Sequence, residues 1–174
     1  TLTNALVGQK LSIITSKAQT TRHRILALIN NDNYQLVISD TPGIIKPAHK
    51  LHESMMDSVN MTLEDADVLI YMVEYKDYNL KDAHLFNKIK NTKTPLILII
   101  NKIDNINQSK LESEIDYWKN ELSNAEICPI SAKEMFNIDE LLNRIIEIVP
   151  EGPAYFPKDQ LTDKPERFFV NEII

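Results

Sequence analysis

Leu96-Ile97-Leu98-Ile99-Ile100 is a short apolar run rich in β-branched residues, and it passes without a spacer into the polar tetrapeptide Asn101-Lys102-Ile103-Asp104. A run of this length and kind reads as a buried strand. Similar stretches lie on both sides of it: Ile25–Ile29, Leu36–Ser39 and Val68–Val73, with a weaker one at Ala125–Ile130. Segments of helical period separate them, at Leu51–Leu63, Lys81–Lys90, Lys110–Leu122 and Ile138–Val149. In the last, Ile138, Leu141, Leu142, Ile145, Ile146 and Val149 share one face. Strand alternating with helix predicts the α/β class with a mainly parallel sheet. Only the first two strands break the alternation. The link Asn30-Asn31-Asp32-Asn33 between them has the length and residue types of a hairpin turn, so one antiparallel pair is expected at the sheet edge.

In a parallel α/β sheet, ligands bind at the carboxyl ends of the strands, and Asn101–Asp104 falls at such an end. A carboxylate at Asp104 can accept two hydrogen bonds from N1 and N2 of guanine. Adenine offers an acceptor at N1 and no amino group at C2. Because a mismatch strands polar groups without partners, the discrimination is on the order of 10⁴ or more. Asn101 would tie neighbouring loops together, and the aliphatic stem of Lys102 would lie along the base plane. By itself the tetrapeptide also fits a solvated turn.

Asp40-Thr41-Pro42-Gly43 follows the strand Leu36–Ser39. It reads either as an ordinary β-turn or as a loop in which Asp40 faces Mg2+ through water while the Gly43 amide approaches a terminal phosphate. Ser131-Ala132-Lys133 follows the fifth strand. There the Ala132 amide can donate to guanine O6 and Ser131 can brace the loop, although so short a motif says nothing alone. The information lies in the order, since each of the three motifs comes directly after a predicted strand.

That order resembles the third, fourth and fifth signature motifs of the GTPase superfamily. Upstream, Gln19-Thr20-Thr21-Arg22-His23-Arg24 is similar to the second motif of the Era branch of the translation-factor-related GTPases. There a switch I threonine, here Thr21 in preference to Thr20, closes over Mg2+ and the γ-phosphate. The tail extends the resemblance through Pro150-Glu151-Gly152-Pro153, Phe156-Pro157-Lys158-Asp159-Gln160, Thr162-Asp163 and Glu166-Arg167-Phe168. It argues against the tandem-domain and tRNA-modifying relatives of the same branch.

The resemblance implies a three-layer P-loop GTPase (Ras-like) domain over residues 1–149, a linker over 150–164, and the beginning of a KH domain at 165–174. It further implies GTP and GDP as ligands, Mg2+ and a monovalent cation as cofactors, and hydrolysis of GTP. Its partners would be 16S ribosomal RNA and the small ribosomal subunit, reached through a KH domain whose Gly-x-x-Gly loop this sequence does not contain. The setting would be cytoplasmic, with peripheral association at the inner, cytoplasmic membrane.

A phosphate-binding loop of the form Gly-x-x-x-x-Gly-Lys-Ser/Thr is not found, because Gly8, Gly43 and Gly152 are the three glycines and none has that setting. In the family the loop is followed by a segment resembling Thr1–Gly8, which makes Thr1 the first nucleotide-binding position after it. The expectation is that the natural protein carries the loop upstream, and that nucleotide binding by the 174 residues alone is impaired. A binding scaffold that never had the loop is the competing reading. Ile44 stands where Ras-like proteins orient water with glutamine, so a slow intrinsic rate is expected, with Gly43, Ile44 and Thr21 as switch positions and backbone groups placing the water.

Composition narrows the remaining classes. A net charge of −6 disfavours a broad electrostatic grip on nucleic acid. The lone Cys128 cannot form an internal disulfide, sits among apolar neighbours and reads as a small buried hydrophobe. His23, His49, His52 and His84 have no metal-site spacing and read as surface or switch residues.

Overall fold

The computed structural model describes residues 2–9, 24–44, 50–78, 82–165 and 167–168. Thr1 and the switch residues Gln19, Thr20, Thr21, Arg22 and His23 lie outside the described residues, as does His49. The chain divides into two compact units, residues 1–64 with 151–174, and residues 65–150.

In the first unit, β1 (Ile25–Asn30) and β2 (Gln35–Asp40) form the expected hairpin, paired antiparallel from Ile25 opposite Asp40 to Asn30 opposite Gln35. The Asn31 amide donates to the Tyr34 carbonyl and closes the turn at 2.9 Å. Helix α1 (Leu2–Val7) buries Leu2 and Leu6, and the amide of Gly8 donates to the Asn4 carbonyl at 2.9 Å. Gly8 has φ +72°, a left-handed conformation that ends a helix at little cost only in glycine. Helix α2 (Lys50–Asp65) buries Met55, Met56 and Val59, a spacing of three to four residues that marks one helical face.

The second unit is built on three parallel strands, β3 (Leu69–Glu74), β4 (Leu96–Asn101) and β5 (Ala125–Pro129), with β4 in the middle. All six residues of β4 are buried, which accounts for its unbroken apolar run. Helices α3 (Ala83–Lys90), α4 (Gln108–Glu121) and α5 (Ile138–Ile148) complete it. The Asp82 carboxylate caps α3 by accepting from the amides of His84 and Leu85, and Asn107 Oδ1 caps α4 by accepting from Lys110. The expected strands and the antiparallel pair are therefore present. They fall into a two-stranded and a three-stranded sheet, because among the described residues no strand bonds β2 to β3.

One reading changes, and one buried residue comes as new. Cys128 is only half-buried, because β5 has a single strand neighbour and its side chains are mostly part-exposed. Glu114, by contrast, is fully buried on α4. Its Oε1 accepts from the Tyr78 hydroxyl and from the Lys76 amide, and Tyr78 begins a succession of ring contacts that runs through Tyr117, Trp118 and Tyr71 to Phe86. Helical periodicity gives no hint of a buried acid at that position.

Candidate functional site

The carboxyl end of β4 is held by side chain-to-backbone bonds. Asn101, the last residue of the strand, is buried, and its Oδ1 accepts from the amides of Lys102 (2.8 Å) and Ala132 (3.1 Å). One amide oxygen thus ties together the Asn101–Asp104 and Ser131–Lys133 loops. Lys102 takes a left-handed conformation (φ 62°, ψ 35°), which turns the chain sharply off the strand into a short 3₁₀ turn, Ile103–Asn105. Its ammonium lies 2.5 Å from the Glu74 carboxylate at the end of β3. Both partners are about half exposed, so the pair contributes little to stability.

Asp104 is exposed within that turn, and its Oδ1 accepts from the buried Ser131 hydroxyl at 2.6 Å. This bond, foremost, lowers the carboxyl's pKa, and the positive charges of Lys133 and Lys102 act in the same direction. At neutral pH the group is an ionised, acceptor-only carboxylate with Oδ2 available to other donors. The Ser131 oxygen also accepts from the Glu134 amide at 3.2 Å, and Ser131 and Phe136 exchange backbone bonds at 3.2 and 3.0 Å. Those bonds fold residues 131–136 into a closed loop in which Lys133 pairs with Glu134. Asn137, with φ 59°, leads from this loop into α5, and its Nδ2 donates to the Pro129 carbonyl at 2.9 Å.

In the first unit, Asp40 ends β2 and Thr41, Pro42, Gly43 and Ile44 follow without regular structure. Pro42 is buried and Gly43 exposed. A Cβ built at Gly43 meets nothing within 4 Å, and its φ is not left-handed. Among the described residues, neither packing nor backbone conformation demands a glycine there.

The hairpin, the parallel sheet and the paired loops at the end of β4 define an α/β domain of the P-loop GTPase class. A family model described as 50S ribosome-binding GTPase matches residues 1–102, and the chain belongs to that family. Its sequence is similar along its whole length to GTPase Era of Clostridium perfringens, at 40% identity, covering 100% of this chain and 59% of that protein. Era of Aquifex aeolicus, in a variant bound to GDP and aluminium fluoride, superposes with a TM-score of 0.90 at 38% identity, over 99% of this chain and 60% of that one. A structure of Era with magnesium-bound GDPNP and a segment of 16S ribosomal RNA gives 0.86 at 41% identity, over 99% and 59%. The chain spans about three fifths of the length of these relatives.

Asn101 ties neighbouring loops as the sequence led us to expect, whereas its partner, the Ala132 amide, and the bond from Ser131 to Asp104 were missed, although all four residues were singled out. The signal was present only as a chemical possibility, since a carboxylate and a hydroxyl both need partners. Among the described residues no group of three or more His, Cys, Asp or Glu side chains forms a metal cage.

Proposed function

We propose that the chain is the guanine-nucleotide-binding part of a GTP-hydrolysing switch that acts in assembly of the small ribosomal subunit, with Asp104 reading the base. The observation that carries this is the 2.6 Å bond from Ser131 to Asp104, which fixes an ionised carboxylate at the end of a parallel strand with Oδ2 still able to accept. Guanine supplies two donors to such a group. Ala132 already gives its amide to Asn101, so contact with guanine O6 requires that amide to be shared between two acceptors.

Asp40, Thr41, Pro42, Gly43 and Ile44 serve the phosphate and Mg2+ end in this reading, together with Thr1, Thr21 and the rest of switch I. One carboxylate at a strand end suits Mg2+, which keeps most of its water and takes its other ligands from phosphate. When bound, the ion would neutralise charge developing on the transferred phosphoryl group. Gly43 fits an approach of backbone to phosphate, since nothing among the described residues around it needs the side chain to be absent. A monovalent cation, contact with 16S ribosomal RNA through a KH domain, a cytoplasmic setting and peripheral membrane association belong to the same reading. They rest on resemblance to Era, two of whose structures hold guanine nucleotides and one of them 16S RNA. No helix among the described residues is long and apolar enough to cross a membrane.

The test is binding of a fluorescent guanine nucleotide to this chain and to a longer chain that carries a Gly-x-x-x-x-Gly-Lys-Ser/Thr loop upstream. Adenine nucleotide and Asp104→Asn serve as controls. The longer chain is expected to bind guanine, to ignore adenine and to lose binding with Asp104→Asn. Absence of binding by both chains would replace this reading with a nucleotide-free scaffold.

A further inference from the structure

Residues 155–163 carry the tail pattern that the nucleotide site does not use, and they lie along the free edge of β1. The Leu26 amide donates to Asp163 Oδ1 and the Leu28 amide to the Leu161 carbonyl, both at 2.9 Å, while Asn30 Nδ2 donates to the Gln160 carbonyl at 2.8 Å. The Leu26 and Leu28 amides, two residues apart along the strand, point away from β2, while Asn30 at the strand end reaches the tail through its side chain. Thr162 and Ala27 form an antiparallel bridge.

The other end of the segment is gripped by one side chain. Gln35 Oε1 accepts from the amides of Tyr155 (2.8 Å) and Phe156 (2.9 Å). Its Nε2 donates to the Phe156 carbonyl (2.9 Å) and to Asn30 Oδ1 (2.6 Å). Every hydrogen-bonding position of that amide is filled. The grip reads backbone and not side chains, in keeping with the 80% exposure of Tyr155.

β1 is thereby an interior strand, with the tail on one edge and β2 on the other. Leu26, bonded to Asp163, stands opposite Ser39, the residue before Asp40. We propose that residues 155–163 are a positioning strap: by completing the second edge of β1 they hold the strand pair that ends at Asp40, and so set the Asp40–Gly43 loop and link it to the chain beyond residue 165. The nucleotide reading enters only in giving that loop a ligand. The strap itself stands on the bonds above.

Amide exchange and backbone resonances of the whole chain test this without nucleotide, so failure of the guanine-binding experiment leaves the result intact. In Asp163→Ala and in Gln35→Ala, exchange at Leu26 and Leu28 is expected to rise about 10-fold or more, and the Gly43 amide resonance to move. Ile97–Ile100 should keep their protection, showing that the fold is intact. Asp163→Asn keeps an oxygen able to accept from Leu26 and should resemble the unaltered chain at all these positions. Unchanged exchange at Leu26 and Leu28 in both alanine variants would overturn the strap. Faster exchange there with Gly43 unmoved would overturn its hold on the loop.

Discussion

Ser131 donates its hydroxyl proton to Asp104 Oδ1 at 2.6 Å, joining two loops that follow different strands of the parallel sheet. The bond favours the ionised carboxylate, and replacing Ser131 with alanine removes its chief cause. In Ser131→Ala the Asp104 titration, followed through its side-chain carbon resonance, should move up toward the ordinary carboxylate range.

The sign of the associated pH effect follows from the depressed folded-state pKa. Whatever the bond adds to stability and to base reading is complete above the ordinary carboxylate pKa and is lost as pH falls through the lowered value. Guanine affinity of a loop-bearing chain, measured from pH 7 downward, should hold until the acid carboxylate range. Ser131→Ala should lose it at higher pH.

Asn101 is buried and holds two backbone amides through one oxygen. Asn101→Ala leaves both without that acceptor, at a cost of about 1–3 kcal/mol. Urea unfolding followed by Trp118 fluorescence measures it, since Trp118 is buried in the same unit.

Tyr78 has its pKa pushed up to about 12, first of all by its hydrogen bond to Glu114. The phenol holds its proton in the folded chain where an unfolded tyrosine loses it. The bond's contribution is therefore full below about pH 10 and is lost as pH rises toward 12. In Glu114→Gln the ring-carbon titration of Tyr78 should fall back toward the ordinary phenol value.

Leu98 is completely buried in the middle strand. Leu98→Ala should cost about 2–5 kcal/mol in chemical denaturation through lost burial and the cavity left behind. Val37→Ala, at a residue 40% exposed, should cost much less.

Strands and helices were legible where burial imposes a period. The run Leu96–Ile100 announces β4 because both of its faces are covered, and the face of α5 announces itself through Ile138, Leu141 and Ile145. Boundaries moved where polar side chains set them: Asp82 starts α3 at Ala83 and Asn107 starts α4 at Gln108. Those caps were visible as residue types, but their bonds were not. Cys128 was read as buried from its apolar neighbours, whereas its burial depends on how many strands flank β5.

The sequence by itself determined the alternation of elements, the placement of the Asp40, Asn101 and Ser131 motifs after strands, and the residue types available to read a base. These are local properties, fixed by side-chain chemistry and by the periods of helix and strand. Tertiary structure alone decided that Asn101 closes on Ala132, that Asp104 takes its bond from Ser131, that Glu114 is buried beside Tyr78, and that residues 155–163 lie along β1. Each of these joins residues far apart in the chain, and hydrogen bonds a few ångströms long exist only once the fold has brought donor and acceptor together.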